Sequence, residues 1–179
     1  MVKLLRTIRL DPSDTFVFER AAEPGEWAVS GAFSFWNVDA DKLEGKSRTA
    51  FRSGFLGVQS LGWSTLAQIV NATDADRKAL VETLAAQLVR RFGAPDLSAA
   101  RKAAEEEVSF AQSLCVHAAD TLIAVKRTCE KGEIREAFRS LRPREGPRLS
   151  KVFSFVEVEG EDETPAENVD LVDLAARQK

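Results

Sequence analysis

Residues 73–117 read TDADRKALVETLAAQLVRRFGAPDLSAARKAAEEEVSFAQSLCVH, and this stretch decides the fold class. In its first half the apolar residues recur every three or four positions, which is the spacing of one face of an α-helix. Thr73 is followed by acidic residues and predicts the start of that helix. Gly93 and the nearby Pro95 predict its end. The apolar face is formed by Leu80, Val81, Leu84, Leu88, Val89 and Phe92.

The second half predicts another helix, which begins near Asp96 or Ser98 and runs to about His117. Its small and apolar residues also follow helical spacing. A connection of only a few residues between two helices favours an antiparallel hairpin. The positions expected to be buried in the second helix are Ala100, Ala104, Val108, Ala111, Leu114 and Cys115.

Upstream of the hairpin the period changes to that of β-strands. Residues 3–10 predict a first strand, and residues 15–20 a short second one after a turn that contains Pro12. Residues 27–35 alternate large apolar with small side chains, which predicts a half-buried strand.

Residues 37–46 are polar and predict a connection with one helical turn at residues 39–43. Two further strands, residues 50–59 and 63–70, flank Ser60-Leu61-Gly62, which has the spacing of a hairpin turn with the glycine at a position of positive φ.

Downstream of the hairpin, residues 121–128 predict a strand that ends in a turn at Gly132. Residues 133–141 fit a helix through Ala137 and Leu141, or a strand through the alternation of Ile134 and Phe138, and we favour the strand. Residues 152–158 predict the last strand. Together these elements predict an α+β fold, a largely antiparallel curved sheet of about six to eight strands packed against the α-helical hairpin.

Length and composition predict one domain at residues 1–159, followed by an acidic, flexible tail at residues 160–179. The 44% hydrophobic and 30% charged residues are ordinary globular usage. A net charge of −3 gives no reason to expect nucleic acid as a partner. We find no signal peptide and no apolar run of membrane-spanning length, so we expect a cytoplasmic protein with reduced cysteines. The oligomeric state stays open.

Cys115, His117 and Cys129 are the residues that could carry chemistry. They could serve as metal ligands, or Cys129 and His117 could form a nucleophilic pair. Residues two apart point to different sides of a helix, and a closed zinc site needs four ligands. We therefore favour two structural cysteines and expect no metal, no cofactor and no catalytic residue.

Basic residues concentrate between positions 126 and 151, where nine Lys or Arg stand against four Glu. This stretch predicts a surface for an anionic partner, either an acidic protein or the chain's own acidic tail. A solvated charged face is the structural alternative. The candidate surface consists of Arg135, Arg139, Arg142, Arg144 and Arg148.

Gly45-Lys46-Ser47 lacks the first glycine of a phosphate-binding loop, since Ala40 stands there, and Lys46 is interpreted as a loop lysine. The glycines at 54, 57 and 62 precede a strand, not a helix, so they indicate a curved or bulged sheet and no dinucleotide site.

Four segments carry a family resemblance: RTIRLDPSDTFVFERAAEPGEWAVSGAF at 6–33, AFRSGFLGVQSLGWSTL at 50–66, FGAPDL at 92–97 and GEIREAFRSLRP at 132–143. The chain resembles a bacterial family labelled as a domain of unknown function, over most of its length up to the acidic tail. The resemblance implies no activity and no catalytic residue.

One histidine and no tyrosine leave few groups for acid–base catalysis. We therefore expect a non-catalytic accessory, assembly or protein-interaction factor. The alternative is a small-ligand-binding protein or enzyme that uses an apolar pocket near Cys115, His117 and Cys129.

Overall fold

A computed structural model describes residues 1–143 and 155–157 of the chain. Three short 3-10 helices lie in the first half, at Pro12–Thr15, Ala32–Phe35 and Ala40–Lys42. The strands and α-helices follow in the order β1 (Val2–Ile8), β2 (Trp27–Val29), α1 (Gly45–Ser53), β3 (Phe55–Gly57), β4 (Trp63–Ser64), β5 (Leu66–Ala72), α2 (Asp74–Arg91), α3 (Leu97–Ser113), β6 (Leu122–Glu130), β7 (Glu133–Pro143) and β8 (Phe155–Glu157).

The strands form one sheet in the order β4-β3-β2-β1-β5-β6-β7-β8, and every neighbouring pair is antiparallel. The sheet curls into a half-barrel. The predicted α+β class and the curved antiparallel sheet with a helical hairpin are confirmed. Leu4 and Leu5 both have no exposed surface. Because neighbouring side chains of a strand point to opposite faces, β1 is covered on both sides.

The helical hairpin begins where its sequence predicts, and its first helix also ends there. Thr73 caps α2 in a reciprocal capping box with Asp76, and the Asp96 side chain caps α3. Gly93 has a φ of +73°, the left-handed conformation expected just past a helix end. Both helices bury most of their apolar residues in the main core. This packing accounts for the close match between pattern and structure. Val89 and Phe92, which were predicted on the buried face of α2, are instead 41% and 39% exposed, and Phe92 packs edge-on against Phe33.

The end of α3 was placed too late in the sequence prediction. The helix stops at Ser113, with Leu114 as its C-cap. There the backbone N–H groups of Leu114 and Cys115 bond to carbonyls three residues back, the tighter geometry that closes a helix end. Cys115 and His117 therefore lie outside the helix.

The first half of the chain has fewer strand residues than predicted. Residues 15–20 form no strand. The strand expected at 27–35 stops at Val29, because Gly31 adopts a φ of +81° and turns the chain into the 3-10 helix Ala32–Phe35. The expected helical turn within residues 39–43 is present as Ala40–Lys42.

The strand predicted at residues 50–59 is wrong over its first part, which belongs to α1. Ala50 and Phe51 are adjacent in sequence and both are buried against the Phe18 and Phe35 side chains. A strand would send these two side chains to opposite faces, whereas a helix keeps both against one cluster. Lys46 accordingly lies in the first turn of α1, not in a loop.

The turn between β3 and β4 has its positive φ at Leu61, at 56°, and not at Gly62 as predicted. Gly62 is needed for another reason, because a Cβ there would collide with the backbone of Ala21 and Ala22.

In the second half, the strand interpretation of residues 133–141 is confirmed by β7, which pairs with β6 along its length. Part of the predicted last strand is present as β8. The predicted tail at 160–179 lies outside the described residues, so the division at residue 159 stays a prediction.

Leu84 tests how strongly α2 holds the sheet. Its side chain has no exposed surface, so we expect Leu84→Ala to lower the free energy of unfolding by about 2–5 kcal/mol. Leu97→Ala is the matched control, because Leu97 is 43% exposed, and we expect it to cost less than about 1 kcal/mol. Denaturant unfolding measures both. Equal losses in the two variants would contradict the placement of α2.

Candidate functional site

A buried arginine lies at the centre of the molecule's polar chemistry. On β6 the residues Ile123, Val125, Arg127 and Cys129 alternate with their neighbours and therefore share one face of the strand. Ile123 and Val125 belong to the main core. Arg127 continues their row with 1% of its surface exposed. A guanidinium in such a place is tolerated only when its donors are bonded.

The guanidinium bonds to three backbone carbonyls on two segments that are remote from it in sequence. Nη1 donates to the carbonyl of Phe51 at 2.6 Å, and Nη2 donates to the carbonyls of Ser30 at 2.9 Å and Gly54 at 3.2 Å. Phe51 belongs to the last turn of α1, where carbonyls have no partner within the helix. Arg127 thus closes the C-terminal end of α1, where a cation is also favoured by the helix dipole.

Glu136 supplies the charge that balances this arginine. It stands directly opposite Arg127 in the β6–β7 register. Its Oε2 accepts hydrogen bonds from Nε and Nη2 of Arg127, each at 3.2 Å, and from the Ser30 hydroxyl. Burial lowers the pKa of Arg127, and the charge of Glu136 opposes that shift. Arg127, Glu136, Ser30 and the adjacent Glu107 are called the Arg127 cluster below.

Glu107 reaches this cluster from α3. Its Oε2 is buried and has no hydrogen-bond partner. The pKa of Glu107 is raised to about 7, chiefly by burial and next by the charge of Glu136, while the charge of Arg127 opposes both. The cluster therefore holds one cation and two carboxyl groups, with the Arg127 side chain fully buried and that of Glu136 15% exposed.

A second buried carboxylate, Glu26, organises the turn after β3. It is 6% exposed and accepts N–H bonds from Glu23 at 2.8 Å and from Gln59 and Ser60 at 3.0 Å each. A side chain at Gly57 would collide with this carboxylate. Backbone N–H donors satisfy Glu26, which makes it a structural residue.

The structure does not bring together the three residues predicted as a polar site. Cys115 lies in the main core, whereas Cys129 packs against the smaller cluster of Phe18, Phe35, Ala50 and Phe51. Leu122 is the first residue of β6, the strand that follows the segment of Cys115 and His117, and Cys129 lies seven positions further along it, about 23 Å away. The His117 carbonyl accepts a bond from Nζ of Lys3 at 2.7 Å.

Burial raises the pKa of the Cys115 thiol to about 12, so it stays protonated at neutral pH and is a poor nucleophile. Among the described residues, no group of three or more His, Cys, Asp or Glu side chains is arranged to hold a metal ion.

The predicted basic surface is divided by the pleat of β7. Arg135 and Arg139 point to the face opposite Glu136, and Arg142 to the same side as Glu136. Arg135 pairs with Glu130 at 3.2 Å, and both side chains are well exposed. Arg144 and Arg148 lie outside the described residues. Arg127, counted in the same basic stretch, is buried and does not belong to a surface.

Two aromatic residues of the first half are unusually exposed, Trp36 at 83% and Phe16 at 71%. Each is two or fewer residues from a buried phenylalanine, Phe35 or Phe18, and these two belong to one cluster. The segments that carry the exposed rings are therefore anchored at the same region of the molecule.

A groove of about 380 Å³ lies beside this cluster. Phe35 and Trp63 stack at 5.2 Å and form its aromatic wall. Arg20 and Lys46 supply its positive charge, and Glu19 a negative one.

Comparison with known proteins identifies the family of this chain. Residues 1–158 match a family described as a family of unknown function (DUF6505). The chain belongs to this family. The resemblance stated from the four sequence segments is thereby confirmed, and the bacterial origin stays a prediction. No curated protein and no solved structure matches the chain.

The family shows no activity to carry over to the Arg127 cluster, which sequence reasoning missed. A signal for it exists in the sequence. Arg127 interrupts the apolar row of β6, and Glu136 stands between the apolar Ile134 and Phe138 of β7. Charged residues of opposite sign in two paired apolar rows indicate a buried ion pair.

Arg127→Lys tests the cluster. An ammonium has three donors on one compact charge and cannot bond Glu136 and the three backbone carbonyls in the planar geometry of a guanidinium. We expect a loss of about 3 kcal/mol in the free energy of unfolding, near the cost of breaking a buried ion pair.

The control is Arg135→Lys on the opposite face, whose exposed pair with Glu130 should make the change worth less than about 1 kcal/mol. Chemical denaturation compares the two variants. A wild-type midpoint for Arg127→Lys would contradict the role of the guanidinium.

Proposed function

We propose that this protein is a non-catalytic protein-interaction factor that binds its partner through an aromatic surface formed by Phe16, Val17, Trp36 and Val38. The observation that carries the proposal is the 83% exposure of Trp36. Trp is the residue type most enriched among those that dominate binding energies, and a large exposed apolar patch marks an interaction site. Phe16 at 71%, Val38 at 43% and Val17 at 40% are further exposed apolar residues of the two segments that are anchored on the Phe18 and Phe35 cluster.

Rigid support favours binding at this surface. Phe35 packs edge-on against Phe51 at 5.2 Å and stacks on Trp63 at the same distance. The carbonyl of Phe35 accepts the N–H of Val38, which closes the turn that carries Trp36. A surface that is already ordered loses less conformational entropy on binding.

Charged residues of both signs flank the aromatic surface, since Arg20 and Lys46 line the adjacent groove and Lys42 pairs with Asp39. Asp11 and Asp14 lie beside Phe16, and Asp39 and Asp41 follow Val38. Charge around a contact governs the association rate and the choice of partner. A partner with an apolar contact area and charged groups at its rim fits this surface.

The basic face of β6 and β7 is proposed as a second contact, for an acidic protein or for the chain's own tail. Lys126, Arg135 and Arg139 have the same orientation across these strands, and Arg135 and Arg139 are about 13 Å apart along β7. Contacts made by exposed charges weaken with added salt. Arg139 already interacts within the protein, so an anionic partner would compete with that contact.

The ligand-binding alternative has less support, because the described residues do not bring Cys115, His117 and Cys129 to one pocket. The predicted cytoplasmic location goes with the proposal of an interaction factor. The structure adds that no described helix has the length and apolar character needed to cross a membrane.

Trp36→Ser and Phe16→Ser test the proposal. The tagged protein is expressed in its native host, cross-linked and captured, and the recovered proteins are quantified. We expect one partner whose recovery falls roughly thirtyfold with Trp36→Ser, the effect of losing about 2 kcal/mol of binding energy.

Val116→Ser is the matched control, because Val116 is 74% exposed but lies beyond the end of α3. It should recover the partner as wild type does. Equal recovery with Trp36→Ser and Val116→Ser, both variants retaining the wild-type circular dichroism spectrum, would reject the aromatic surface.

A further inference from the structure

α3 meets the sheet through two adjacent contacts of different chemistry. Phe110 packs against Phe138 of β7 with ring centroids 5.7 Å apart, and Phe138 packs on Phe55 at 6.2 Å. Glu107 lies one helical turn before Phe110, and Glu136 lies two residues before Phe138, so each carboxyl group shares a face with its aromatic neighbour. The carboxyl pair is thus next to an apolar contact.

One guanidinium cannot neutralise both carboxylates of the Arg127 cluster. Arg127 donates two hydrogen bonds to Oε2 of Glu136, and the Ser30 hydroxyl donates a third to the same atom. Oε2 of Glu107 accepts no hydrogen bond. If Glu107 were ionised, the cluster would have a net charge of −1 beside a buried carboxylate oxygen that accepts no hydrogen bond, and a buried charge without a partner is costly.

We propose that the contact between α3 and β7 is pH-sensitive, closed when Glu107 carries a proton and weakened when Glu107 is ionised. The charged groups that act on Glu107 come from three elements: Arg127 on β6, Glu136 on β7 and Glu106 on α3 itself. Two of these are negative. Arg127 is the one cation among them, and it is engaged with Glu136.

The direction of the pH effect follows because Glu107 binds its proton more tightly in the folded protein than in the unfolded chain. Burial, with the charge of Glu136 as the next cause, raises the pKa of Glu107 from 4.5 to about 7. A group whose pKa is raised on folding contributes stability that is present below its unfolded pKa and lost as the pH rises through its folded pKa. Stability should therefore fall between about pH 4.5 and pH 7 and stay low above it.

The experiment follows the Glu107 side-chain carboxyl carbon by NMR and the denaturant midpoint of the same protein from pH 5 to pH 8. We expect the carboxyl signal to titrate near pH 7. The equilibrium constant for unfolding should rise on the order of a hundredfold over this range, since each pKa unit is worth a factor of ten. Amides of α3 should lose hydrogen-exchange protection over the same range, after correction for the intrinsic pH dependence of exchange.

Two variants complete the test. Glu107→Gln keeps the shape of the side chain and cannot ionise, so it should remove most of this pH dependence. Glu106→Gln, the exposed neighbour on α3, should keep it with a slightly lower midpoint. A Glu107 carboxyl that titrates near 4.5, or a Glu107→Gln variant with the full wild-type pH dependence, would overturn the proposal. The NMR titration uses the wild-type chain and decides the question even if Glu107→Gln does not fold.

Discussion

A buried guanidinium must have its donors satisfied, and this constraint on Arg127 determines how the first half of the chain is placed. The elements that meet it are short: β2 and β3 have three residues each, and α1 has nine. Such pieces make few ladder or helix bonds of their own. Arg127 connects them to the long β6–β7 hairpin, because it donates hydrogen bonds to their carbonyls. Its side chain has no exposed surface, so water cannot replace these partners. The loss of one partner would leave carbonyls or a carboxylate buried without donors.

The same constraint links the two hydrophobic cores. Arg127 stands between Val125, which belongs to the larger core, and Cys129, which packs against the smaller one. The smaller core in turn anchors the segments that expose Phe16 and Trp36. The ion pair between β6 and β7 therefore supports the proposed interaction surface indirectly, through the smaller core. Glu107 connects the third layer, α3, to the same group of charges.

The parts of the fold that could be predicted from sequence are those with local causes. The helical hairpin has a regular apolar period, capping residues and a terminating glycine within its own 40 or so residues, as typical helices do. The β7 strand could be distinguished from a helix because Ile134, Glu136 and Phe138 alternate opposite β6. By contrast, α1 has only Ala50 and Phe51 buried, too few residues to define a period. Its position depends on Phe35 and Arg127, which are distant in sequence.

The candidate site was less predictable, since burial of a charge is a tertiary property. Cys115 and His117 attracted attention by residue type, yet a buried thiol with its pKa near 12 is a core residue. Arg127 looked like one more base in a basic stretch, and only its position in an apolar row of β6 distinguishes it. A residue's place in the alternation of a strand thus carried more information here than its chemical type.

The most direct measurement of this account is a double-mutant cycle between Arg127 and Glu136, from the unfolding free energies of Arg127→Met, Glu136→Leu and the double variant. If the two largely buried charges are partners, each single variant leaves the other charge unpaired, and the double variant relieves both. The account predicts a coupling energy of about 2–3 kcal/mol, at the upper end of the range for residues in one network. Additive losses, within about 0.5 kcal/mol, would contradict it.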